Sequence, residues 1–218
     1  MGQPVRPRLA ISTTCHPSYK PIQTWHVCIS GFLQSPARPS GLEQLWVLLR
    51  NRHNNGKVNC ELRQWNARWH DLAEQIHRLR PDDGDVRVYV YAYSWGAGWG
   101  FVRLAKALRR CGIEVRAAVL TDPVFRSSIL PAWLPINPLS LLSAPAVRVP
   151  CNVREVHWFF QRTQRPYGHH VIAEDPSATK VHEGVECDCD HLHMDDLPDF
   201  RDRSLLVAEN AAREALCA

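Results

Sequence analysis

The sequence predicts an α/β protein, a mainly parallel central sheet flanked by helices. Two observations carry this. Short β-branched and aromatic runs alternate along the chain with amphipathic stretches of helical length, the pattern of βαβ units. The central run, Val86-Arg87-Val88-Tyr89-Val90-Tyr91-Ala92-Tyr93, is almost continuously apolar or aromatic, as a strand covered on both faces must be.

Residues 1–24 bear prolines and show little periodicity, so they read as an irregular lead-in, and residues 25–218 read as a single domain. Its first element is the strand Trp25-His26-Val27-Cys28-Ile29-Ser30, which stops at Gly31. Gly41 to Arg52 places Leu42, Leu45, Trp46 and Leu49 at helical spacing behind a polar start at Ser40. Val58 to Trp65 alternates as a strand, and Trp69 to Leu79 is amphipathic through Leu72, Ile76 and Leu79. After the turn Pro81-Asp82-Asp83-Gly84-Asp85 comes the central strand, then a helix over 98–111 closed by Gly112 as a left-handed cap. Ile113 to Thr121 follows as a strand with Val115, Ala117 and Val119 on one side. From 127 to 150 Pro131, Pro135, Pro138, Pro145 and Pro150 interrupt an apolar stretch too often for a helix or an interior strand. Glu155 to Gln161 and Gly184 to His193 read as later strands. Arg203 to Leu216 reads as a final helix with Leu205, Leu206, Ala208, Ala212 and Leu216 inward.

Composition narrows the function. Hydrophobic residues make up 45% and charged ones 22% of 218 residues, which excludes disorder and fibrous repeats. No apolar run approaches the roughly 18–20 residues a spanning helix needs, so no integral membrane segment is expected. The N-terminus lacks an apolar stretch long enough for a signal peptide, so a cytoplasmic protein is expected. The net charge of +4 is spread over spots such as Arg109-Arg110 and Arg162 to Arg165, and no nucleic-acid module accompanies it; no nucleic-acid partner is expected. Eight cysteines lie scattered along the chain, and in a reducing compartment they stay thiols. Cys28 and Cys111 read as small buried hydrophobes.

Ala92-Tyr93-Ser94-Trp95-Gly96 is the most informative segment. It lies where the central strand ends and a helix begins. A nucleophile elbow turns so sharply there that the positions two before and two after the serine must be very small, and Ala92 and Gly96 are. The helix start beneath the serine supplies N–H groups and a positive dipole end where an oxyanion would form. The alternative is a glycine-rich turn that packs closely or binds phosphate, but neither nucleotide-binding glycine signature is present. The next strand ends in Leu120-Thr121-Asp122-Pro123, bringing an aspartate to the same sheet edge; a plain strand-end turn would also use Asp-Pro. Far downstream comes Cys187-Asp188-Cys189-Asp190-His191-Leu192-His193-Met194-Asp195-Asp196.

The order Ser, Asp, His, with these motifs, resembles the α/β-hydrolase superfamily, in particular its small lipase- and esterase-like members. The likeness spans about residues 25–216 and rests on the strand ending Ile29-Ser30-Gly31-Phe32, the elbow, the Asp122 strand end and the terminal His-x-x-Met-Asp ahead of a helix. Ala92 replaces the usual first glycine, and no His-Gly pair precedes the oxyanion loop. The resemblance implies Ser94 as nucleophile, Asp122 as orienting acid and a late histidine as general base. It also implies an oxyanion hole from the Phe32 and Trp95 amides. His191 fits the family's spacing to a following aspartate better than His193, which stays open as the alternative base.

Two further constellations bear on function. Cys187, Cys189, His191 and His193 alternate, and on a strand they would share one face with ligand types suited to zinc; the outer pair would then stand about 20 Å apart, too far for one ion, so no metal is expected. Segment 127–150 is either an irregular loop over the core or a cap beside the site, and in the second case Trp133, Leu134 and Leu139 would contact an apolar group. The expected activity is cofactor-free hydrolysis of a small-molecule or lipid carboxylic ester through an acyl-enzyme. The alternative is a hydrolase-fold binding or scaffold protein without turnover. Oligomeric state is not legible.

Overall fold

The computed structural model describes residues 20–32, 40–53, 58–125 and 145–216. In chain order its strands are β1 (Ile22–Ser30), β2 (Val58–Gln64), β3 (Asp85–Tyr93), β4 (Val115–Thr121), β5 (Val147–Val149), β6 (Glu155–Phe160), β7 (Val171–Ala173), β8 (Lys180–Val181) and β9 (Val185–Glu186). Its helices are α1 (Gly41–His53), α2 (Trp69–Arg78), α3 (Phe101–Arg110) and α4 (Pro198–Leu216).

The sheet runs β2-β1-β3-β4-β6-β8, with β9 also on β6, and every pairing is parallel. Parallel neighbours need crossover connections, and these place helices on both faces. On one face Val27, Ile29, Val88, Val90 and Ala92 pack against Leu72 and Ile76 of α2 and Phe101, Leu104 and Leu108 of α3. On the other, Cys28, Tyr91, Tyr93 and Val119 meet Leu42, Leu45 and Leu49 of α1 and Phe200, Val207 and Ala208 of α4. Each buried Val, Leu, Ile and Phe among them contributes about 1.5–3 kcal/mol by leaving water. The architecture is the predicted α/β class.

Local chemistry explains two of the helix boundaries. At the start of α1 the Ser40 hydroxyl accepts the Glu43 N–H at 3.2 Å while Glu43 Oε2 accepts the Ser40 N–H at 3.0 Å, a reciprocal capping box. Gly112 closes α3 with φ +66°, a conformation that costs a side-chain-bearing residue energy.

Several sequence-based expectations need correction. Strand β1 starts three residues earlier than predicted, at Ile22. Helix α2 ends at Arg78, and Leu79 beyond it is half exposed. Val115 and Ala117 do not share a side, because the β3–β4 register steps from Val88↔Val115 to Tyr89↔Ala117; this bulge at Arg116 turns the following residues over. Helix α4 begins at Pro198, five residues before its predicted start, and its inward stripe is Phe200, Ser204, Val207, Ala208 and Ala211. Leu206 is exposed, and Leu205 and Ala212 are only partly covered. Cys111 is half-buried, unlike the fully enclosed Cys28. At the end of the proline-rich stretch Val147–Val149 pairs in parallel with β7 as an edge strand of a two-stranded sheet, which the prolines permit. The 187–193 stretch is not a strand: β9 stops at Glu186, and His191–His193 form a 3₁₀ turn. Among the described residues no helix is long and apolar enough to cross a membrane.

Candidate active site

Ser94 follows β3 directly, with φ +55° in the left-handed region. For a residue with a Cβ this conformation costs about 1–2 kcal/mol and persists only where the surroundings impose it. Here they do. The Ser94 N–H donates to Thr121 O of the neighbouring strand at 3.0 Å, and its carbonyl accepts N–H groups from Ala97, Gly98 and Val124 at 3.0, 2.9 and 3.1 Å. The chain then enters a π-type turn, Gly96–Gly100, that runs into α3. Gly96 and Gly98 are glycine for reasons of space. A Cβ at Gly96 would stand 2.4 Å from Ile29 O, and one at Gly98 would stand 2.0 Å from Val124 O. The acid-bearing loop after β4 therefore lies directly on the serine turn.

Asp122 follows β4, also at positive φ (+43°), and is completely buried. Its N–H donates to Phe159 O of β6 at 2.8 Å, which fixes the residue at the rim of the sheet. Oδ2 bonds His191 Nδ1 and accepts Gln161 Nε2–H at 3.0 Å, while Oδ1 faces the Gln161 N–H at 3.3 Å. Gln161 is itself buried. Its amide NH₂ also donates to Gln164 O and Pro166 O, and its Oε1 accepts the Gln164 N–H. This residue escaped the sequence reading; its signal, a polar residue closing an apolar strand, is weak without the fold. Gly168 completes the surroundings, because a Cβ there would stand 2.4 Å from Asp122 Oδ1.

His191 opens the 3₁₀ turn and is buried at 8% exposure. With the Nδ1 proton held by Asp122, Nε2 presents its lone pair to the Ser94 hydroxyl at 3.0 Å. Three bonds clamp this loop to the body: Tyr93 O–H to His191 O at 2.7 Å, Thr121 O–H to Met194 O at 3.0 Å, and Leu42 N–H to Asp195 Oδ2 at 3.2 Å. Burial pushes the Tyr93 hydroxyl well above its ordinary value, so it stays a donor.

Three residues from distant stretches of chain thus converge in hydrogen-bonding order: Ser94, His191, Asp122. His193 does not join them. Its side chain is 60% exposed and its Nδ1 pairs with Asp190 Oδ1 at 2.7 Å, because a 3₁₀ turn points residues i and i+2 in different directions where a strand would align them. The same turn removes the geometry in which Cys187, Cys189, His191 and His193 would share a face. His169 braces the acid loop: its N–H donates to Pro123 O and its Nδ1 accepts the Phe125 N–H.

Beside the serine lies an aromatic group. The Phe32 and Trp95 rings stand 4.6 Å apart and Trp65 meets Trp95 edge-on at 4.9 Å. A Cβ at Gly31 would sit 2.9 Å from Ser94 Cβ, so the chain entering Phe32 passes close by the hydroxyl-bearing carbon. Trp133, Leu134 and Leu139 lie outside the described residues, as does most of the cap-like segment.

No protein-family model and no curated protein matches this chain. Two solved structures show a partial likeness. ClbQ from the colibactin NRPS/PKS pathway is similar over 90% of this chain and 100% of its own, at 12% identity and a TM-score of 0.43. A mutant of a proposed epoxide hydrolase from Pseudomonas aeruginosa, solved with bound MFA, is similar over 90% of this chain and 92% of its own, at 17% identity and a TM-score of 0.43.

Proposed function

We propose that this protein is a serine hydrolase that cleaves a carboxylic ester. The observation that carries the reading is the buried chain of contacts from Ser94 Oγ through His191 to Asp122, set on a strained strand-to-helix turn. Ser94 Oγ bonds to the ester carbonyl carbon as its proton passes to His191 Nε2. Asp122 holds the imidazole in the right tautomer and stabilises the imidazolium that forms, and Gln161 fixes the carboxylate in turn. The tetrahedral oxyanion is taken up by the backbone N–H groups of Trp95 and Phe32. Collapse expels the alcohol, which leaves with the proton from His191. Water, deprotonated by the same nitrogen, then releases the acid and restores the serine. The chemistry uses side chains and backbone alone. The Phe32, Trp65 and Trp95 rings favour an apolar acyl or alcohol group.

The test is hydrolysis of p-nitrophenyl esters of graded acyl length. The wild-type protein is expected to turn over at least the short esters and the Ser94→Ala variant to lose this activity by about four orders of magnitude or more. Equal rates for the two folded proteins would contradict the assignment, and a folded wild type inert to all of them would favour a binding protein on this fold.

A further inference from the structure

Away from the serine, at the opposite end of the same strand β6, a second group of titratable side chains converges. Glu155 and His157 are two residues apart on β6 and so project from one face. His182 follows β8, whose register sets Val181 beside Val156, and its N–H donates to Val156 O at 2.9 Å. Sheet pairing alone therefore lays His182 alongside His157, and their rings stack with centroids 4.1 Å apart. Glu155 Oε1 lies 2.5 Å from His182 Nε2 and 3.5 Å from His157 Nε2, and the three ligand atoms all fall within 4.8 Å of one another.

We propose that Glu155, His157 and His182 form a binding site for one divalent cation of the zinc class. Two imidazole nitrogens and a carboxylate are a donor set such ions accept, and bonds of about 2.0–2.2 Å place tetrahedral ligand atoms roughly 3.3–3.5 Å apart. The Glu155–His157 separation already matches, and the Glu155–His182 pair need open by less than about 1 Å. A hydrogen-bonded His–Glu pair would account for two of the residues but not for the third, which aims its Nε2 at the same carboxylate oxygen. His157 and His182 also line a pocket of about 560 Å³ shared with Asp199, Asp202 and Arg203 of α4, leaving room for a water or an anion at a fourth position. Arg203 and Lys180 are the cations near the site and oppose binding; Glu183, Asp199 and Asp202 offset them.

Zn²⁺ and Co²⁺ titrated into the full chain test this. One ion per chain is expected at micromolar concentration, with visible bands of tetrahedral Co²⁺ and no thiolate-to-cobalt charge-transfer band. The His157→Ala/His182→Ala variant, and separately the milder Glu155→Gln, should weaken binding, the double variant by about 100-fold or more, whereas Cys187→Ser/Cys189→Ser should leave it unchanged. Circular dichroism on each variant establishes that the fold is kept. Absence of stoichiometric binding, binding indifferent to folded Glu155→Gln, or a thiolate band would overturn the proposal.

Discussion

Alanine at His191 is expected to lower kcat on an activated ester by about four to six orders of magnitude, while alanine at His193 leaves it within about twofold. The two histidines differ by two positions in sequence and by their whole environment in space. His191 is enclosed between Ser94 and Asp122, and no other imidazole among the described residues contacts that serine. His193 holds only a surface pairing with Asp190, and surface pairs contribute about 0–1 kcal/mol. Removing His191 leaves the Ser94 hydroxyl without an acceptor for its proton, so the attack must proceed from a neutral alcohol. Steady-state rates for the two single variants, each checked for fold, measure this. A dead His193→Ala beside an active His191→Ala would reverse the assignment.

Alanine at Gly98 is expected to destabilise the protein by about 3 kcal/mol, or roughly 6–12 °C in Tm for a domain of this size. The cause is contact rather than backbone conformation. The added Cβ would lie 2.0 Å from Val124 O and 2.3 Å from Val124 C, both backbone atoms that cannot swing aside. Relief requires moving the loop that carries Asp122 or the turn that carries Ser94, so activity should fall along with stability. Gly112→Ala is the comparison. Nothing lies within 4 Å of a Cβ there, and only the φ of +66° opposes it, which costs about 1 kcal/mol. Thermal unfolding of both variants separates the two effects, and a Gly98→Ala Tm as high as that of Gly112→Ala would contradict the packing described.

Much of this organisation is legible in the sequence because it follows from local rules. The apolar run of β3 needs both faces covered, and the small residues around Ser94 are demanded by the close approach of β1 and of the loop after β4. Asp122 is readable as a candidate from its place at a strand end, and His191 from its order in the chain and, through the family resemblance, its spacing to a following aspartate. What local pattern could not supply was phase and pairing. The bulge at Arg116 reverses a strand's faces without a proline or glycine to announce it. The early start of α4 at Pro198 brings Phe200 into the core ahead of the predicted helix, and the inward stripe settles on Val207, Ala208 and Ala211 while Leu206 faces water. The alternation Cys-Asp-Cys-Asp-His-Leu-His imitates a strand. Asp190, whose carboxylate accepts the His193 N–H, caps it into a turn instead. Gln161 and the Glu155, His157 and His182 group depend on contacts across neighbouring strands or loops, which periodicity along one segment does not encode.

The most direct test of the central claim is reaction with a fluorophosphonate, which only an activated serine attacks at a useful rate, followed by mass spectrometry of the labelled peptide. One phosphonyl group on the peptide bearing Ser94, and none on folded Ser94→Ala, is the predicted result. Folded wild-type protein that takes up no label, or an adduct that survives the Ser94→Ala substitution, would contradict the account.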